Sequence, residues 1–461
     1  MSTFDPKIFK AYDIRAIYPE QINEENIATI AKAIFQLFKK RLNKDSFTIA
    51  LGQDMRTSSP SLFAVVKQTL LDAGAHVIDV GLVSTPTFYF AVSKYGYDTG
   101  IQVTASHNPK EYNGMKFVIN SPKGLIKIGK STGMDEVREM AMAGVDLPKV
   151  TTGTLIENKD VQDGEVRNAL DCIGNPDLKK FKIVADPANA MGITYLEALF
   201  KTVPADLVKM NFELDGTFPV HPPDPLDFNN LVDLQKKVLE EKADFGLAPD
   251  GDGDRLFFID EKGQVVPASY ITGIIAREFL KHNPGAMILF DIRYIFTPRK
   301  IVEENGGKSD ITKVGHAFIT EMMTNTGALF GGESSAHYFY KASGNAESQL
   351  ITISTFMKVL TEEGKTLSQL VDEVRRSFES GEFNFKVTNA PEILERLKEK
   401  YNDGELVTLD GISISYPNWR FNVRTSNTEP LLRLNVESYD QKEMETKRDE
   451  LMAFINSIAK S

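Results

Sequence analysis

The sequence predicts an α/β protein: three tandem, related mixed α/β domains and a smaller C-terminal α+β domain, arranged around a central cleft. Three observations predict this fold. A short apolar strand that ends in aspartate recurs three times, as FTIALGQD, FKIVAD and AMILFD, and a helix-length segment follows each copy. Alternating apolar strands and helices indicate layered α/β domains with mostly parallel sheets. After about residue 370 the pattern changes to strands flanked by two amphipathic helices.

The segment after the first strand, SLFAVVKQTLLDAG, predicts a helix because its apolar residues fall on one stripe, formed by Leu62, Val65, Val66, Leu70 and Leu71. Each repeat then has a second apolar stretch that leads into a polar loop. These loops are TGIQVTASHNPKEYNG, ADFGLAPDGDGDRLFFID and GALFGGESSAHYFY. Because ligands gather at the carboxyl ends of strands in α/β sheets, we expect the three loops to face a common cleft.

Near the C-terminus, the segments NFKV, LVTLDGISISY, WRFNV and LLRLNVES predict strands. The segments PEILERLKEKY and QKEMETKRDELMAFINSIAK predict the flanking helices. Turn residues in DLPKVTTG and IDEKGQ mark junctions near 150 and 258. The predicted domains span residues 1–150, 151–258, 259–370 and 371–461.

The net charge of −11, from 53 basic and 64 acidic side chains, argues against nucleic acid and anionic membranes as partners. It does not exclude an anionic small substrate, because local arginines and a metal ion can reverse the field in a cleft. The N-terminus lacks the apolar core of a signal peptide, and no run of 18 apolar residues occurs, so we expect a cytoplasmic protein. The single cysteine, Cys172, allows no intrachain disulfide and is expected to be a buried structural residue.

The loop TASHNPKEYNGMK places Ser106 beside His107 in a strand-to-loop turn. Asn113-Gly114 predicts a tight turn that would bring Lys116 back toward Ser106. A serine hydroxyl near a histidine and a lysine is a plausible phosphoryl acceptor, because the cation offsets charge on the transferring group. Taken alone, the same residues also suit an ordinary capped turn.

The loop PDGDGDR carries Asp250, Asp252 and Asp254 at alternate positions. Carboxylates this close repel one another without a cation, and oxygen ligands favour Mg²⁺ or Ca²⁺. An EF-hand is the alternative, since Glu261 stands at its twelfth position, but Arg255 replaces the required glycine and the flanks resemble strands. Arg255 beside a metal ion is better explained by a phosphate that both cations bind.

Two further loops carry polar groups. In GGESSAHYFY, Glu333 and Ser335 alternate on a predicted extended segment, so both could point into one pocket and bind neighbouring sugar hydroxyls. In RTSNTEP, a guanidinium, three polar side chains and backbone donors form a possible phosphate cradle. Those side chains are Arg424, Ser426, Asn427 and Thr428. Taken alone, each loop could equally be a surface turn.

Together these motifs resemble the α-D-phosphohexomutase superfamily, most closely its bacterial phosphomannomutase/phosphoglucomutase branch. The resemblance covers essentially the whole chain and follows the family's order: YDIR, TASHNP, DGDGDR, the GGE loop and RTSNT. In the family, the serine matching Ser106 carries a phosphate. With the aspartates matching Asp250, Asp252 and Asp254, it holds one Mg²⁺. The resemblance implies that hexose 1-phosphate and hexose 6-phosphate interconvert through a hexose 1,6-bisphosphate intermediate, which also acts as activator, with mannose, glucose or both as the sugar.

The resemblance also implies roles for the four predicted domains and for individual residues. It places the phosphoserine in 1–150, the metal ligands in 151–258, sugar recognition in 259–370 and phosphate binding in 371–461. The residues implied to take part in catalysis are Ser106, His107, Lys116, Arg255, Arg15 and His316. Among them His107, Lys116 and His316 are unranked candidates for proton transfer. The residues implied to bind substrate are Tyr12, Asn108, Arg293, Glu333, Ser335, Arg424, Ser426, Asn427 and Thr428. The pair Glu333 and Ser335 is expected to contact the sugar O3 and O4 hydroxyls.

The chain departs from the family pattern in ways that bear on sugar preference. Ala336 stands where the family usually has glycine, and alanine would be strained there if that position needs a positive φ. Ala16 also replaces a common glycine, Arg293 replaces a common lysine, and DPANAMG contains fewer glycines than its counterpart.

Two alternative functions are compatible with the same fold. Phosphoglucosamine mutase is disfavoured because its relatives usually carry glutamine where Ser334 stands. A non-catalytic sugar-phosphate-binding protein should have lost the serine, the aspartates or Arg255, and all are present. The expected partners are small hexose phosphates, and the expected assembly is a monomer or weak dimer.

Overall fold

A computed structural model describes residues 5–147, 150, 153–425 and 431–460. The chain folds into two compact units. The first contains residues 1–266 and 337–368, and the second contains residues 267–336 and 369–461. The α/β class predicted from the sequence is confirmed. The four predicted domain ranges remain a prediction.

The N-terminal sheet of the first unit has the strand order β1-β5-β4-β2-β3-β7, with β6 paired to β5. Its central strand β2 is parallel to β3 and β4, whereas β5 runs antiparallel to β4 and β1, so the sheet is mixed. The elements are β1 (Ile14–Ile17), α1 (Glu24–Leu42), β2 (Thr48–Gln53), α2 (Ser59–Asp72), β3 (His76–Leu82), α3 (Thr85–Lys94), β4 (Thr99–Val103), β5 (Tyr112–Ser121), β6 (Gly124–Lys127), α4 (Asp135–Ala143) and β7 (Thr154–Glu157).

Both faces of this sheet are covered, as the alternation of side chains along β2 requires. Ile49 and Leu51 pack in a core with residues of α1, α2 and α4. Ala50, between them, packs on the other face with residues of α3 such as Phe88. The sheet is therefore buried between helices, and its strand ends are the edges at which polar loops can gather.

A second sheet of the first unit has the order β12-β11-β10-β8-β9, parallel at β10-β8-β9 and antiparallel at β12-β11-β10. Its elements are α5 (Val161–Cys172), β8 (Phe181–Ala185), α6 (Gly192–Thr202), β9 (Ala205–Lys209), α7 (Val232–Glu241), β10 (Phe245–Pro249), β11 (Leu256–Asp260) and β12 (Val265–Val266). Cys172, at the end of α5, is half-buried rather than fully buried.

The second unit begins with α8 (Ala268–His282), β13 (Met287–Asp291), α9 (Phe296–Glu304), β14 (Lys308–Thr312), α10 (His316–Thr326) and β15 (Phe330–Gly332). Strand β13 lies between β14 and β15, parallel to both. The chain then contributes β16 (Tyr338–Tyr340), β17 (Ala346–Glu347) and α11 (Gln349–Glu363) to the first unit, where Phe356 packs on Phe258 with ring centroids 4.8 Å apart. Helix α12 (Leu367–Val374) follows.

The C-terminal part is an antiparallel sheet covered by two helices, as the sequence predicted. The strand order is β18-β23-β22-β21-β20, with β19 also paired to β23. The elements are β18 (Phe378–Glu379), β19 (Phe383–Lys386), α13 (Ala390–Lys400), β20 (Glu405–Val407), β21 (Ile412–Ser415), β22 (Trp419–Thr425), β23 (Leu431–Ser438) and α14 (Gln441–Ile458).

The aspartate that recurs at the strand ends has the same local role each time. Its Oδ1 accepts a hydrogen bond from the backbone N–H two residues later. The distances are 3.1 Å from Arg56 to Asp54, 3.0 Å from Ala188 to Asp186 and 2.8 Å from Arg293 to Asp291. An aspartate that binds its own backbone two residues on forms a tight turn. The repeated motif therefore turns the chain at the end of each strand. None of the helices in the described ranges is both long and apolar enough to cross a membrane.

Candidate active site

The predicted nucleophile, Ser106, lies in the loop after β4 in a left-handed backbone conformation, with φ of 53°. Its side chain is almost fully buried, with 2% of the residue exposed. Its backbone N–H donates to Thr104 Oγ1 at 3.0 Å, and that hydroxyl donates to Asp54 Oδ2 at 2.7 Å. A non-glycine residue at positive φ persists only where its surroundings impose the conformation, and such residues concentrate at functional sites.

Arg56 is the residue that imposes it, and the sequence analysis missed it. Its guanidinium has no exposed surface and donates to the carbonyl oxygens of Ser106 and Asn108, both at 2.7 Å. It also donates to the carbonyl oxygen of Pro109 at 2.8 Å. The signal was present in the repeat, because QDMR and FDIR both place an arginine two residues after the strand-end aspartate.

The three predicted metal ligands, Asp250, Asp252 and Asp254, follow β10 and are all buried. One carboxylate oxygen from each lies within 4.8 Å of the others. Burial and the charges of Asp254 and Asp252 raise the pKa of Asp250 well above its ordinary value. Within the described residues, Asp252 Oδ1 is buried without a hydrogen-bond partner. The cluster therefore fits a divalent cation with oxygen ligands. Strands β10 and β11 flank it, so the EF-hand alternative is excluded.

Lys116 joins this cluster from β5. Its Nζ lies 2.6 Å from both Asp252 Oδ2 and Asp254 Oδ2, and it is 3% exposed. Burial alone would lower the pKa of Lys116, but the two carboxylates raise it well above its ordinary value. The ammonium group is therefore charged at neutral pH and offsets part of the negative charge of the triad.

The predicted tight turn at Asn113-Gly114 is wrong. Both residues lie inside β5, where Gly114 is paired with Arg15 of β1. A Cβ at Gly114 would collide with the carbonyl oxygen of Ile14, so the glycine permits close strand pairing instead of a turn. Lys116 reaches the site because its strand runs back along β4, opposite Gln102.

His107 and Arg255 both lie within 4 Å of the Asp250 carboxylate. His107 Nδ1 is 3.2 Å from Ser106 Oγ and 3.8 Å from Asp250 Oδ2, and Ser106 Oγ is 3.5 Å from the same Asp250 oxygen. Burial and the neighbouring Arg255 and Arg15 lower the pKa of His107 well below its ordinary value, so the ring is neutral at pH 7.

Arg255 has unused hydrogen-bonding capacity. Its Nη1 is 3.5 Å from Asp224 Oδ1, and its Nε is 3.9 Å from Asp250 Oδ2. These two nitrogens are buried, and neither has a hydrogen-bond partner within the described part of the chain. A buried guanidinium with unused donors suits an anionic ligand such as a phosphate.

Two of the remaining predicted residues of this unit support the serine loop. Arg15 donates through Nη1 to Asn108 Oδ1 at 2.5 Å and through Nε to Asp13 Oδ2 at 2.8 Å. Tyr12, in the turn before β1, is half-buried. Arg15 and Asn108 are thus joined to Ser106 through one network.

His337 is a second residue that the sequence analysis missed, although it ends the quoted GESSAH motif. Its Nε2 lies 3.2 Å from Asp254 Oδ1, and it is 6% exposed. Lys116 and His337 together hold the pKa of Asp254 well below its usual range despite its burial. The acidic triad is therefore contacted by two nitrogen groups, the Lys116 ammonium and the His337 ring, which come from segments far apart in the sequence.

The second unit contains the predicted sugar loop. Glu333 Oε2 and Arg293 Nη2 lie 3.4 Å and 3.2 Å from Ser335 Oγ, and all three residues are buried. The predicted extended conformation is wrong, because β15 ends at Gly332 and the segment turns. The turn is closed by the Ala336 N–H, which donates to the Glu333 carbonyl oxygen at 2.9 Å.

Ala336 does occupy a position with a positive φ, of 65°, so the strain expected for alanine there is confirmed. Ala188, in the glycine-poor DPANAMG segment, also has a positive φ, of 51°. His316 begins α10, next to Gly315, whose N–H donates to Glu333 Oε1 at 2.7 Å. His316 therefore directly follows a residue that is hydrogen-bonded to Glu333 of the sugar loop.

The phosphate loop is described in part. Arg424, at the end of β22, is 2% exposed and donates through Nη2 to Glu382 Oε2 at 3.0 Å. The other three predicted residues of this loop, Ser426, Asn427 and Thr428, lie outside the described residues.

The strained Ser106, the three buried carboxylates and the unused donors of Arg255 together indicate an α/β enzyme site that binds a cation and an anionic substrate. Comparison with known protein families, sequences and structures agrees with this assignment. Four successive regions match the phosphoglucomutase/phosphomannomutase family: alpha/beta/alpha domain I at 6–132, domain II at 166–263, domain III at 267–378 and the C-terminal domain at 382–454. The chain belongs to this family of the α-D-phosphohexomutase superfamily.

Individual relatives span nearly the whole chain. A phosphomannomutase of Escherichia coli K12 is 37% identical over 459 residues, covering 97% of this chain and 98% of its own. A phosphomannomutase of Methanocaldococcus jannaschii is 36% identical over 466 residues, covering 99% and 98%. A crystal structure of a phosphoglucomutase/phosphomannomutase family protein from Burkholderia thailandensis superposes with a TM-score of 0.88 at 28% identity, covering 99% of each chain.

Proposed function

We propose that this phosphohexomutase interconverts the 1- and 6-phosphates of mannose, glucose or both, through a phosphorylated Ser106 and a hexose 1,6-bisphosphate intermediate. One observation carries the proposal: the buried Ser106 hydroxyl lies 3.5 Å from Asp250 Oδ2 and 3.2 Å from His107 Nδ1, beside three clustered carboxylates. Structural burial alone does not explain a serine held at positive φ in this position.

The donor set suits Mg²⁺, because it consists of oxygens and is already partly neutralised by a lysine. A cation held by Ser106, Asp250, Asp252 and Asp254 would supply positive charge to the transferring phosphoryl group. A phosphoserine adds about −1.5 to −2 charge at neutral pH, so it needs more counter-charge than the cation alone. The unused donors of Arg255 are suited to provide it.

The proposed transfer exchanges one phosphate ester bond for another. A sugar hydroxyl oxygen forms a new bond to phosphorus, the bond between phosphorus and Ser106 Oγ breaks, and the hydroxyl proton passes to a base while Ser106 recovers a proton. A neutral His107 can accept a proton, whereas a charged Lys116 can donate one. Glu333 and Ser335 are proposed to bind the sugar hydroxyls, and Arg424 the phosphate that does not react. Phosphoryl transfer then depends on positioning and charge stabilisation.

The covalent intermediate is tested by intact mass and peptide mapping. After incubation with glucose 1,6-bisphosphate and Mg²⁺, the full chain should gain the mass of one phosphoryl group on Ser106. The Ser106→Ala variant should not, and Ser61→Ala, an exposed serine on α2, should behave like the wild type. A wild-type chain that never carries the group under these conditions overturns the phosphoenzyme mechanism.

The sugar is tested by measuring conversion of glucose 1-phosphate and mannose 1-phosphate side by side. Similar rates support dual specificity. Activity on one sugar alone would show that the enzyme is selective and would assign the selectivity to the sugar loop. We also propose that the protein is cytoplasmic and that it is a monomer or a weak dimer. Sedimentation of the purified chain tests the assembly: a monomer gives one mass at all concentrations, whereas a weak dimer gives an average mass that rises with concentration.

A further inference from the structure

Two arginines face each other across the C-terminal sheet. Arg424 of β22 and Arg433 of β23 are direct cross-strand partners, so both side chains lie on the same face. Like charges directly opposite each other destabilise a sheet unless an anion lies between them. Arg293, from the loop after β13, adds a third guanidinium, and burial together with this neighbour lowers the pKa of Arg424. The arrangement requires a negative group.

Glu382 supplies that group. Its Oε2 lies 3.0 Å from Arg424 Nη2 and 3.9 Å from Arg293 Nη1, and its Oε1 lies 3.4 Å from Arg433 Nη1. Glu382 therefore contacts all three arginines at once. Its side chain is the most exposed of the four, at 26%, against 3% for Arg424 and 6% for Arg293.

The carboxylate satisfies this cluster incompletely. Arg424 Nε is buried and has no hydrogen-bond partner within the described residues. Arg293 is already bound to Asp291, with Nη2 2.8 Å from Oδ2 and Nε 3.0 Å from Oδ1. A tetrahedral phosphate brings more acceptor oxygens than a carboxylate and up to twice its charge. Three arginines would therefore bind a phosphate more strongly than they bind Glu382.

Glu382 is also placed to leave. It lies in the short connection between β18 and β19, directly after Gly381, whose φ is 77°. A partly exposed carboxylate on a long side chain can rotate into water and recover its hydration there, whereas the buried Arg424 and Arg293 cannot move out. The exchange of one anion for another thus needs only a side-chain rotation.

We propose that Glu382 is an internal ligand of the anion site formed by Arg293, Arg424 and Arg433, and that the phosphate of a bound hexose phosphate displaces it. The inference rests on the proposed function for the identity of the phosphate, but not for the existence of the anion site. Glu382 competes with the substrate, so the apparent dissociation constant is the intrinsic one divided by the fraction of time that Glu382 leaves the arginines free. The same competition speeds release of the bound phosphate, which a mutase needs when its intermediate must change partners.

The test is calorimetric titration of the full-length chain with inorganic phosphate. Glu382→Gln keeps the shape but removes the competing charge, so the dissociation constant should fall by about five- to tenfold. Glu382→Asp shortens the side chain and should give a smaller change in the same direction. Glu395→Gln, on the exposed face of α13, is the control and should match the wild type. Unchanged or weaker phosphate binding in both Glu382 variants overturns the inference and makes Glu382 a structural partner of the arginines.

Two further measurements test whether the gain in phosphate affinity arises at the three arginines. The gain from Glu382→Gln should disappear in an Arg433→Met background, because the site then lacks one of its arginines; a gain that persists there overturns the assignment. Mutase assays run alongside separate the two proposals. An active wild type whose phosphate affinity does not respond to Glu382→Gln rejects this inference and leaves the function intact. Tighter phosphate binding in a chain without mutase activity supports the anion site and rejects the proposed function.

Discussion

The Arg56 guanidinium donates to the carbonyl oxygen of Ser106 at 2.7 Å from a side chain with no exposed surface. The same guanidinium is paired with Asp54, whose Oδ2 is 3.1 Å from Arg56 Nε. Asp54 in turn holds Thr104, which holds the Ser106 N–H. The strained conformation of the serine is thus fixed from its carbonyl side and its amide side by one buried ion pair.

Arg56→Lys should therefore reduce turnover strongly while leaving the metal ligands in place. A lysine keeps the charge but cannot donate to several carbonyl oxygens in the fixed geometry of a guanidinium. Misplacing a reacting group by about 1 Å can cost on the order of 100-fold in rate. We expect a loss of about that size in kcat, measured with saturating hexose 1-phosphate and Mg²⁺.

The matched control is Arg138→Lys, a half-exposed arginine paired with Asp135 on α4, which should keep wild-type turnover. Circular dichroism of both variants would show whether the fold is retained. If Arg56→Lys keeps full activity, the carbonyl contacts do not position the serine and the role assigned to Arg56 is wrong.

Local periodicity and motif spacing were sufficient to predict much of this fold and site. The stripe from Leu62 to Leu71 predicted α2, and all four segments predicted as strands near the C-terminus contain strands. The segment LVTLDGISISY forms two of them, β20 and β21, and β18 was not predicted. Asp250, Asp252 and Asp254 come together because they are neighbours in the sequence, so their clustering needs no knowledge of the tertiary structure.

The errors occur where tertiary contacts override local preference. Asn113-Gly114 is a strong turn sequence, yet pairing with β1 keeps it in a strand. The partners of Arg56 and His337 are backbone or side-chain groups about 50 and 83 residues away, and a single sequence does not reveal such distances. Glu382 was missed for the same reason, because its three arginines come from separate strands and loops.

Substitutions of Ala336 test how the chain tolerates a residue other than glycine at a φ of 65°. Ala336→Gly relieves roughly 1–2 kcal/mol of left-handed strain. It also loses about 0.8 kcal/mol of methyl burial and about 0.4–1 kcal/mol in chain entropy. These terms nearly cancel, so stability and activity should change little.

Ala336→Val adds a β-branched side chain at the same buried position and should cost about 3 kcal/mol or more. The single tryptophan, Trp419, lies in the same unit and reports unfolding in urea by fluorescence. Ala317→Val, at an ordinary helical position on α10, should cost only about 1 kcal/mol. Equal losses for the two valine variants would show that backbone conformation is not what limits Ala336.

Glu165 gives the first unit a pH-dependent stability. Burial raises its pKa from 4.5 to about 7, although Thr87 Oγ1 donates to it at 2.6 Å. In the unfolded chain the carboxyl loses its proton near its ordinary pKa, whereas in the folded chain it keeps the proton up to about pH 7. Its contribution is therefore complete below about pH 4.5 and is lost as the pH rises through 7, by about 2 kcal/mol between pH 5 and 8.

Glu165→Gln should remove that part of the pH dependence and make the chain relatively more stable at pH 8. The measurement is the urea midpoint by circular dichroism at pH 5 and 8, since Trp419 lies in the other unit. Glu139→Gln, exposed on α4, should keep the wild-type pH dependence. A Glu165→Gln variant that loses as much stability as the wild type between these pH values would falsify the assignment.

Asp252→Asn tests the carboxylate triad with little change in shape. Asp252 Oδ2 accepts from Thr85 Oγ1 and from Lys116 Nζ, both at 2.6 Å, and an amide oxygen can keep these contacts. The substitution also removes one of the charges that raise the pKa of Asp250, so the fold should survive.

Turnover should nevertheless fall on the order of 100- to 1,000-fold, because one anionic ligand of the proposed Mg²⁺ is lost and the transferring phosphoryl group is less well stabilised. The Mg²⁺ concentration for half-maximal activity should rise as well. Asp206→Asn, exposed on β9, is the control and should leave both quantities unchanged. Unchanged turnover and Mg²⁺ dependence in Asp252→Asn would show that Asp252 is not a ligand of the metal.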